Sequence, residues 1–449
     1  MDRFDLVVIG AGAAGEAAAH YARTKDASVA IVDRGLFGGS CPFWACMPSK
    51  ALLHAAAIHH GGGDYPWPRA SAFRDYMINR TKTDEPDDSG HVKSLEGAGA
   101  TVIRGSAALA GPGRVRVGDR TLEAGAVVLA VGSVSRVPKD LPGLADAKPW
   151  TNVEGTSTRE LPRSLVILGG GPTGVELAQV YARYGVRTTL VHPRARVHDR
   201  EHPRSSALLA AGLQRDGVRL RLGVRAMAVR AAKRGGAHAV KLSEGNPAEG
   251  HEILLAIGRD LPLEGLGLGT IGVKPERGRL APDEQLRIAE DVYLAGDVAG
   301  PEMHTHLGHY TGEAAARIAL GDANYQPFLD AIPRATYTDP ETASVGLLVE
   351  QAKERGIDAV EFTTDIGTSS KGFIEEAAGH ATIVVDRRER VLVGAFMAGP
   401  SVSEAIHECV LAIRARIPLA TLADTIHAFP TVARVLGTSF VTADRALNA

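Results

Sequence analysis

Apolar positions along this chain fall in short runs that alternate with helical stretches. Residues 5–9 (Asp-Leu-Val-Val-Ile) read as a buried strand, Gly10 to Gly15 as a turn, 14–23 as an Ala-rich helix and 28–33 as a second strand ending in Asp33. That order is the start of a βαβ unit. It recurs once: Ser164-Leu165-Val166-Ile167-Leu168 leads through a glycine turn and a helix to Leu190-Val191-His192. Between the two units, residues 38–60 hold two cysteines and then a helix. Residues 61–90 are rich in Gly, Pro and charge, with helical pieces such as Ser71–Arg80. Residues 101–131 are β-like and end at Gly132, after which Pro138, Pro142 and Pro149 mark a linker. A strand at Ile253–Ile257 runs into Gly258-Arg259. Another at Val292–Ala295 ends at Gly296-Asp297, with a helix following over about 306–320. From about 331 the pattern changes to strands with turns and an Ala-rich helix over about 401–415.

These elements predict an α/β protein with two Rossmann-like dinucleotide-binding domains and an α+β C-terminal domain. The expected boundaries are 1–150 for the first nucleotide domain, 151–260 for the second, 261–330 for a return to the first, and 331–449 for the C-terminal domain. A length of 449 residues suits such a multidomain chain. The formal net charge of -2 gives no reason to expect nucleic acid or an anionic membrane surface as partner. Neither a secretory signal nor an apolar run of the roughly 20 residues needed to span a bilayer is visible. Three cysteines are too few for a disulfide framework. The expectation is a cytoplasmic protein, where a close cysteine pair more often does chemistry than stapling.

The two turns share one pattern. Gly10-Ala11-Gly12-Ala13-Ala14-Gly15 and Gly169-Gly170-Gly171-Pro172-Thr173-Gly174 both fit G-x-G-x-x-G between strand and helix. Glycine permits the tight turn and the close backbone approach that place a pyrophosphate on a helix N-terminus. Asp33 lies 18 positions after Gly15, where an acid binds a ribose hydroxyl pair. His192 holds the equivalent place after Gly174 and is followed by Arg194 and Arg196. Loss of the acid and gain of cations suit a 2′-phosphate, hence NADPH over NADH. The plainer alternative is a solvated basic loop.

The segment Gly38-Gly39-Ser40-Cys41-Pro42-Phe43-Trp44-Ala45-Cys46-Met47-Pro48-Ser49-Lys50 carries the candidate chemistry. Five residues of ideal helix separate Cα atoms by roughly 8–9 Å, beyond the roughly 7 Å that a disulfide spans. A bridge therefore needs a distorted helix start, which Pro42 and Pro48 supply. Lys50, one turn after Cys46, and the helix N-terminus both favour a thiolate at Cys46. The bland readings are two buried cysteines or half a zinc site. Structural zinc wants four ligands, and no second cysteine pair exists, so no metal is expected. Cys409 sits in a helical pattern and reads as an inert packed thiol.

Together these residues resemble the pyridine nucleotide-disulfide oxidoreductases, the family of dihydrolipoamide dehydrogenase, glutathione reductase and mercuric reductase. The likeness runs through Gly39-Ser40-Cys41-x4-Cys46-x-Pro48-Ser49-Lys50, both glycine fingerprints, Ala130-Val131-Gly132, Gly174-Val175-Glu176, Gly258, Gly296-Asp297, His306 and Gly312. It continues into Thr338-Asp339-Pro340-Glu341. The resemblance implies electron flow from a nicotinamide coenzyme through FAD to a Cys41–Cys46 disulfide. Cys46 would be the flavin-side thiol and Cys41 the interchange thiol. Lys50 and Glu176 would pair near the flavin, Asp297 would bind the ribitol, and the helix beginning near His306 would aim its positive end at the ring. It further implies a homodimer whose active sites are shared between subunits, acting on a small-molecule acceptor.

One segment departs from the family. Relatives carry His-Pro near the C-terminus as an acid/base, with a Glu five residues later. Here the segment reads Ile426-His427-Ala428-Phe429-Pro430-Thr431-Val432-Ala433-Arg434, with Phe429 in the His place and Arg434 in the Glu place. Neither takes up a proton near neutral pH. Loss of this His to Phe is shared with 2-ketopropyl-coenzyme M oxidoreductase/carboxylase, which also has Cys-Pro-x-x-Ala-Cys. Mercuric reductases lack the His too but carry a C-terminal cysteine pair, absent from this chain. Three functions stay open: disulfide-mediated reduction of a small acceptor, C–S cleavage of the carboxylase type, and flavin-only reduction of quinones or dyes. Phe43 and Trp44 either narrow a pocket or pack the helix. His427, His304 and His309 are the histidines that could stand in for the absent base.

Overall fold

The computed structural model describes residues 2–233 and 235–449. The chain forms two compact units. The first comprises the chain up to Ala51, Pro68–Arg136 and Gly258–Pro327. Its central strand, Asp2–Ile9, is flanked in parallel by Val29–Asp33 and Arg120–Leu129. Thr101–Arg104 extends the sheet in parallel on one side and Val292–Leu294 on the other. The run Leu-Val-Val-Ile lacks polar alternation because both faces of the strand are covered. Leu6 and Val8 pack with Ala14, Ala18 and Ala22 of the helix Ala13–Arg23 and with Ala314, Ala315 and Ile318 of the helix Thr305–Ala319. Val7 and Ile9 face the opposite side, among Val32, Val127 and Leu294. The two helices press together through small residues. A Cβ on Gly312 would stand 2.1 Å from the Ala14 carbonyl oxygen.

The second unit comprises Leu52–Trp67, Val137–Ile257 and Phe328–Ala449. It holds a second parallel sheet in the order Arg219–Leu222, Arg187–His192, Ser164–Leu168, Glu252–Leu255. The helix Pro172–Arg183 follows the second glycine turn. The C-terminal part is a five-stranded antiparallel sheet, Arg334–Thr336, Glu341–Gly346, Val391–Gly399, His380–Asp386, Ala359–Asp365. Helices Val402–Arg414 and Val432–Asn448 bury Ile406, Cys409, Leu436 and Phe440 in its core. Among the described residues, no helix is long and apolar enough to cross a membrane.

Two elements differ from the sequence expectation. The helix expected over Ser71–Arg80 spans Trp67–Met77. Pro68 fits its first turn, and the Trp67 indole N–H donates to the Arg159 carbonyl at 2.9 Å within the second unit, fixing the start. The last helix, Val432–Asn448, had no counterpart in the sequence reading. The Thr431 hydroxyl caps it, accepting from the Arg434 amide at 3.1 Å.

Candidate active site

The two glycine turns are built alike, down to which positions are full and which are open. Gly10 adopts φ +103 and Gly169 φ +117, backbone that side chains rarely take. A Cβ on Gly10 would meet the Ala130 carbonyl oxygen at 2.3 Å, and one on Gly169 the Ala256 oxygen at 2.1 Å. Gly15 and Gly174 press on the carbonyls of Gly10 and Gly169, where a Cβ would come within 1.8 and 2.0 Å. These four glycines serve chain-to-chain packing. The middle ones do not. Around Gly171 nothing lies within 4 Å of a built Cβ, and around Gly12 the nearest atom is Gly39 Cα at 3.8 Å. Both are N-caps of helices whose first turns take no side-chain cap. That open cradle is what a dinucleotide pyrophosphate requires. The residues of the first unit therefore fit FAD, and those of the second fit a nicotinamide coenzyme.

Each turn is tied to the end of the next strand. The Ala11 amide donates to Asp33 Oδ2 at 2.7 Å. In the second unit the Gly170 amide, at the matching position, donates to His192 Nδ1 at 3.0 Å. His192 thus replaces the acid in structure as well as in sequence. Accepting at Nδ1 places its proton on Nε2, which points to Asp199 Oδ1 at 3.3 Å. Arg194 Nε lies 3.9 Å from Asp199 Oδ2. Arg196 sends Nη2 to the Asp199 carbonyl, while its buried Nη1 has no hydrogen-bond partner among the described residues. A buried guanidinium nitrogen left in this state calls for an anion.

In the first unit, the cysteines sit on a helix that breaks between them. Ser40–Trp44 is one helical piece and Cys46–His60 the next, with Ala45 at φ -136, ψ -94. Pro48 has no N–H for the Trp44 carbonyl, and helical bonding resumes with the Ser49 amide on Ala45 at 3.1 Å. The break brings the sulfurs of Cys41 and Cys46 into hydrogen-bond contact as free thiols. That contact, followed by burial and the charge of Cys46, pushes the Cys41 thiol well above its usual range. Cys46 Sγ lies 3.2 Å from Thr305 Oγ1, at the N-terminus of the helix Thr305–Ala319. Lys50 Nζ lies 3.3 Å from Ser49 Oγ. Gly39, at φ 72, packs on Gly12, joining the redox segment to the first cradle.

Further contacts anchor the site. Asp297 accepts a very short hydrogen bond from the Ser133 hydroxyl, and Arg259 Nε donates to that oxygen at 2.5 Å. The Phe37 amide donates to Asp88 Oδ2 at 2.8 Å, while Arg104 holds both oxygens of that carboxylate. His91 closes over Gly38 and is bonded to Glu16 Oε1 at 2.8 Å. Burial raises the Glu16 carboxyl above its ordinary value. The Phe43 ring is buried edge-on against His91, 5.6 Å between centroids, so it packs the segment. Sequence reasoning missed Thr305, Asp88 and the His91–Glu16 pair, because each acts through a partner distant along the chain. Ser133 belongs to the strand-end motif Ala130-Val131-Gly132-Ser133 that the sequence itself displays.

The structure gathers Gly10, Gly12, Gly15, Asp33, Gly39, Ser40, Cys41, Cys46, Lys50, Ala130, Gly132, Gly258, Asp297 and His306 in the first unit. Gly169, Gly171, Gly174, Glu176, His192, Arg194 and Phe429 belong to the second. There Glu176 is buried and accepts the Tyr337 amide at 3.0 Å. His306 stacks on His304, and His304 bonds Glu302 Oε2 at 2.7 Å. Phe429 is 72% exposed and Ile426 97%, and the Phe429–Pro430 peptide is cis. The His427 side chain is 5% exposed, held by Glu408 Oε1 at 2.8 Å and walled by Gly437, where a Cβ would lie 2.5 Å from its Nδ1. That packing sets the His427 ring against the helix Val432–Asn448. Among the described residues, no group of His, Cys, Asp and Glu is placed to hold a metal.

Two dinucleotide cradles and a cysteine pair beside one of them define a flavin-linked reductase that draws on a nicotinamide coenzyme. The family model described as pyridine nucleotide-disulphide oxidoreductase matches residues 4–315, and its dimerisation domain matches 332–440. The chain belongs to that family, whose members are FAD-dependent enzymes using NAD(P)H. It is 31% identical to the dihydrolipoyl dehydrogenase of Thermus scotoductus over 97% of this chain and 96% of that one. It is 30% identical to the mercuric reductase of Streptomyces lividans, covering 96% and 94%. Among solved structures, LpdA of Mycobacterium tuberculosis superposes with a TM-score of 0.86 at 25% identity, covering 99% of this chain and 100% of that one. The HOCl-induced flavoprotein disulfide reductase RclA of Escherichia coli, solved as a Cu(II) complex, shares the fold with a TM-score of 0.87 at 23% identity, covering 98% and 100%.

Proposed function

We propose that this oxidoreductase takes electrons from NADPH and delivers them through the Cys41–Cys46 pair to a small acceptor, without an imidazole base. The observation that carries this reading is the broken helix that sets the two thiols in contact at the first cradle. When bound, FAD supplies a carrier that accepts two electrons from a nicotinamide and yields them to a disulfide. The chain's own residues do the rest. Gly12 leaves room for the pyrophosphate, and Ser133 and Arg259 orient Asp297 toward the position the ribitol would take. Cys46 keeps the inner sulfur beside Thr305, and Cys41 is the sulfur that attacks the acceptor. Preference for NADPH is supported by His192 in place of an acid and by the unpartnered Arg196 Nη1.

The exposed Phe429 and Ile426 support a face that meets a second copy, in keeping with the dimerisation-domain match. Phe429 brings no titratable group to that face, which favours an acceptor that needs no proton from the protein surface.

The test is an anaerobic titration of the holoprotein with NADPH and with NADH, followed by flavin absorbance and by thiol counting. NADPH is expected to release two new thiols per subunit, and Cys41→Ser to abolish acceptor reduction. If the flavin is reduced while the thiol count stays constant, and Cys41→Ser keeps full activity, the flavin-only reading replaces this one.

A further inference from the structure

One imidazole–carboxylate pair lies against the first cradle, outside the electron path. Glu16 is in the first turn of the helix Ala13–Arg23, and its amide donates to the Gly12 carbonyl at 2.9 Å. Helical side chains lean toward the N-terminus, which carries the carboxylate back toward the glycine turn. His91, on the helix Ser89–Gly97, places Nδ1 2.8 Å from Glu16 Oε1. The other edge of its ring lies on the redox segment. A Cβ on Gly38 would come within 2.7 Å of both Cε1 and Nε2. Gly38 in turn donates its amide to the Ala11 carbonyl at 2.7 Å and forms a parallel bridge with Gly12. The pair thus meets the turn through two glycines, Gly12 on the carboxylate side and Gly38 on the imidazole side. The Glu16 side chain is 16% exposed and that of His91 35%, so solvent screens their charges only in part.

We propose that Glu16 and His91 form a proton-binding element of the FAD site, holding a proton more tightly when the turn carries the cofactor's diphosphate. The inference concerns the cofactor site alone and is independent of the acceptor and of the cysteine chemistry. With His91 neutral, its Nδ1–H donates to Glu16 and the pair carries one negative charge. A helix N-terminus favours the diphosphate, and a lone carboxylate in the first turn opposes it. One proton from solvent removes that opposition, because the pair is then net neutral whichever atom holds it. On His91 the new N–H forms at Nε2, the edge turned toward Gly38. The loaded site therefore binds more protons than the unloaded one, so affinity falls as pH rises through the imidazole range. Burial raises the Glu16 carboxyl above its ordinary value, while His91, His20 and His309 draw it down. Those histidines and one carboxylate are the charged groups facing the pair. His20 comes from the Glu16 helix and His309 from the helix Thr305–Ala319. Asp88, just before the His91 helix, is held by Arg104 and the Phe37 amide. The redox segment brings only the Phe43 ring.

The experiment dilutes the holoprotein to nanomolar concentration over a series from about pH 6 to about pH 8.5, spanning the imidazole range. Fluorescence of the released FAD gives a Kd at each pH, with no turnover required, and Tm confirms the fold. Wild type is expected to bind about tenfold more weakly at the top of the series than at the bottom, the effect of one partly screened charge on a nearby anion. His91→Gln leaves the carboxylate uncompensated and is expected to bind weakly throughout. The double variant Glu16→Gln, His91→Gln keeps side-chain size and a hydrogen bond without charge. It is expected to regain the low-pH affinity of wild type and to lose the pH dependence. A pair that merely packs would leave the double variant no tighter than His91→Gln. Glu16→Gln alone is expected to bind more tightly than wild type at the top of the series. A wild-type Kd that is flat with pH overturns the proposal. So does a pH dependence that survives in the double variant, which retains His20 and His309, or a double variant as weak as His91→Gln.

Discussion

Replacing His192 with aspartate is expected to turn the coenzyme preference toward NADH. Aspartate is the informative choice because Asp33 occupies the matching place in the first unit and accepts the matching loop amide, 2.7 Å against 3.0 Å for His192. The loop bond is therefore preserved and only the charge and length change. A carboxylate there gains hydrogen bonds to two ribose hydroxyls and repels a 2′-phosphate. With about 1.5–3 kcal/mol for a charge-assisted hydrogen bond, the combined swing is about 3–4 kcal/mol. That corresponds to a change of about 10²–10³ in the NADPH:NADH ratio of kcat/KM. Initial rates with each coenzyme and a common artificial acceptor measure it. Arg196→Gln is the control: it removes the unpartnered Nη1 and should lower kcat/KM for NADPH about tenfold or more while sparing NADH. A wild-type enzyme that favours NADH, or a His192→Asp variant with an unchanged ratio, would refute the assignment.

Other substitutions separate packing from ligand binding and test the pH response. Gly12→Ala should fold normally, since its Cβ meets nothing closer than 3.8 Å, yet lose FAD, whereas Gly10→Ala should lower Tm by colliding with the Ala130 carbonyl; equal effects on Tm would contradict the division of roles. Acid should destabilise the second unit through buried histidines. Burial pushes His380 down to about 3 and also lowers His198 and His202, so each prefers the neutral form when folded. Their contribution is complete above the unfolded value near 6.5 and is lost as pH falls from there toward the folded values, at up to about 1.4 kcal/mol per pH unit for each. Urea midpoints at pH 7 and pH 5 read this out, and midpoints that coincide would rule it out.

What could be read from the sequence was what is local. Each βαβ unit announces itself because glycine spacing, strand length and helix pattern lie within about thirty contiguous residues. The cysteine segment is equally self-contained: Pro48 alone predicts that helical bonding to residue 44 fails, and the helix indeed breaks at Ala45. What stayed hidden depends on chain-distant contact. Nothing near position 305 signals a sulfur partner, since the residue is a threonine at a helix start like many others. The His91–Glu16 pair joins two helices 75 positions apart. The departure at Phe429 was legible as a substitution, but its meaning depends on where the proton goes instead.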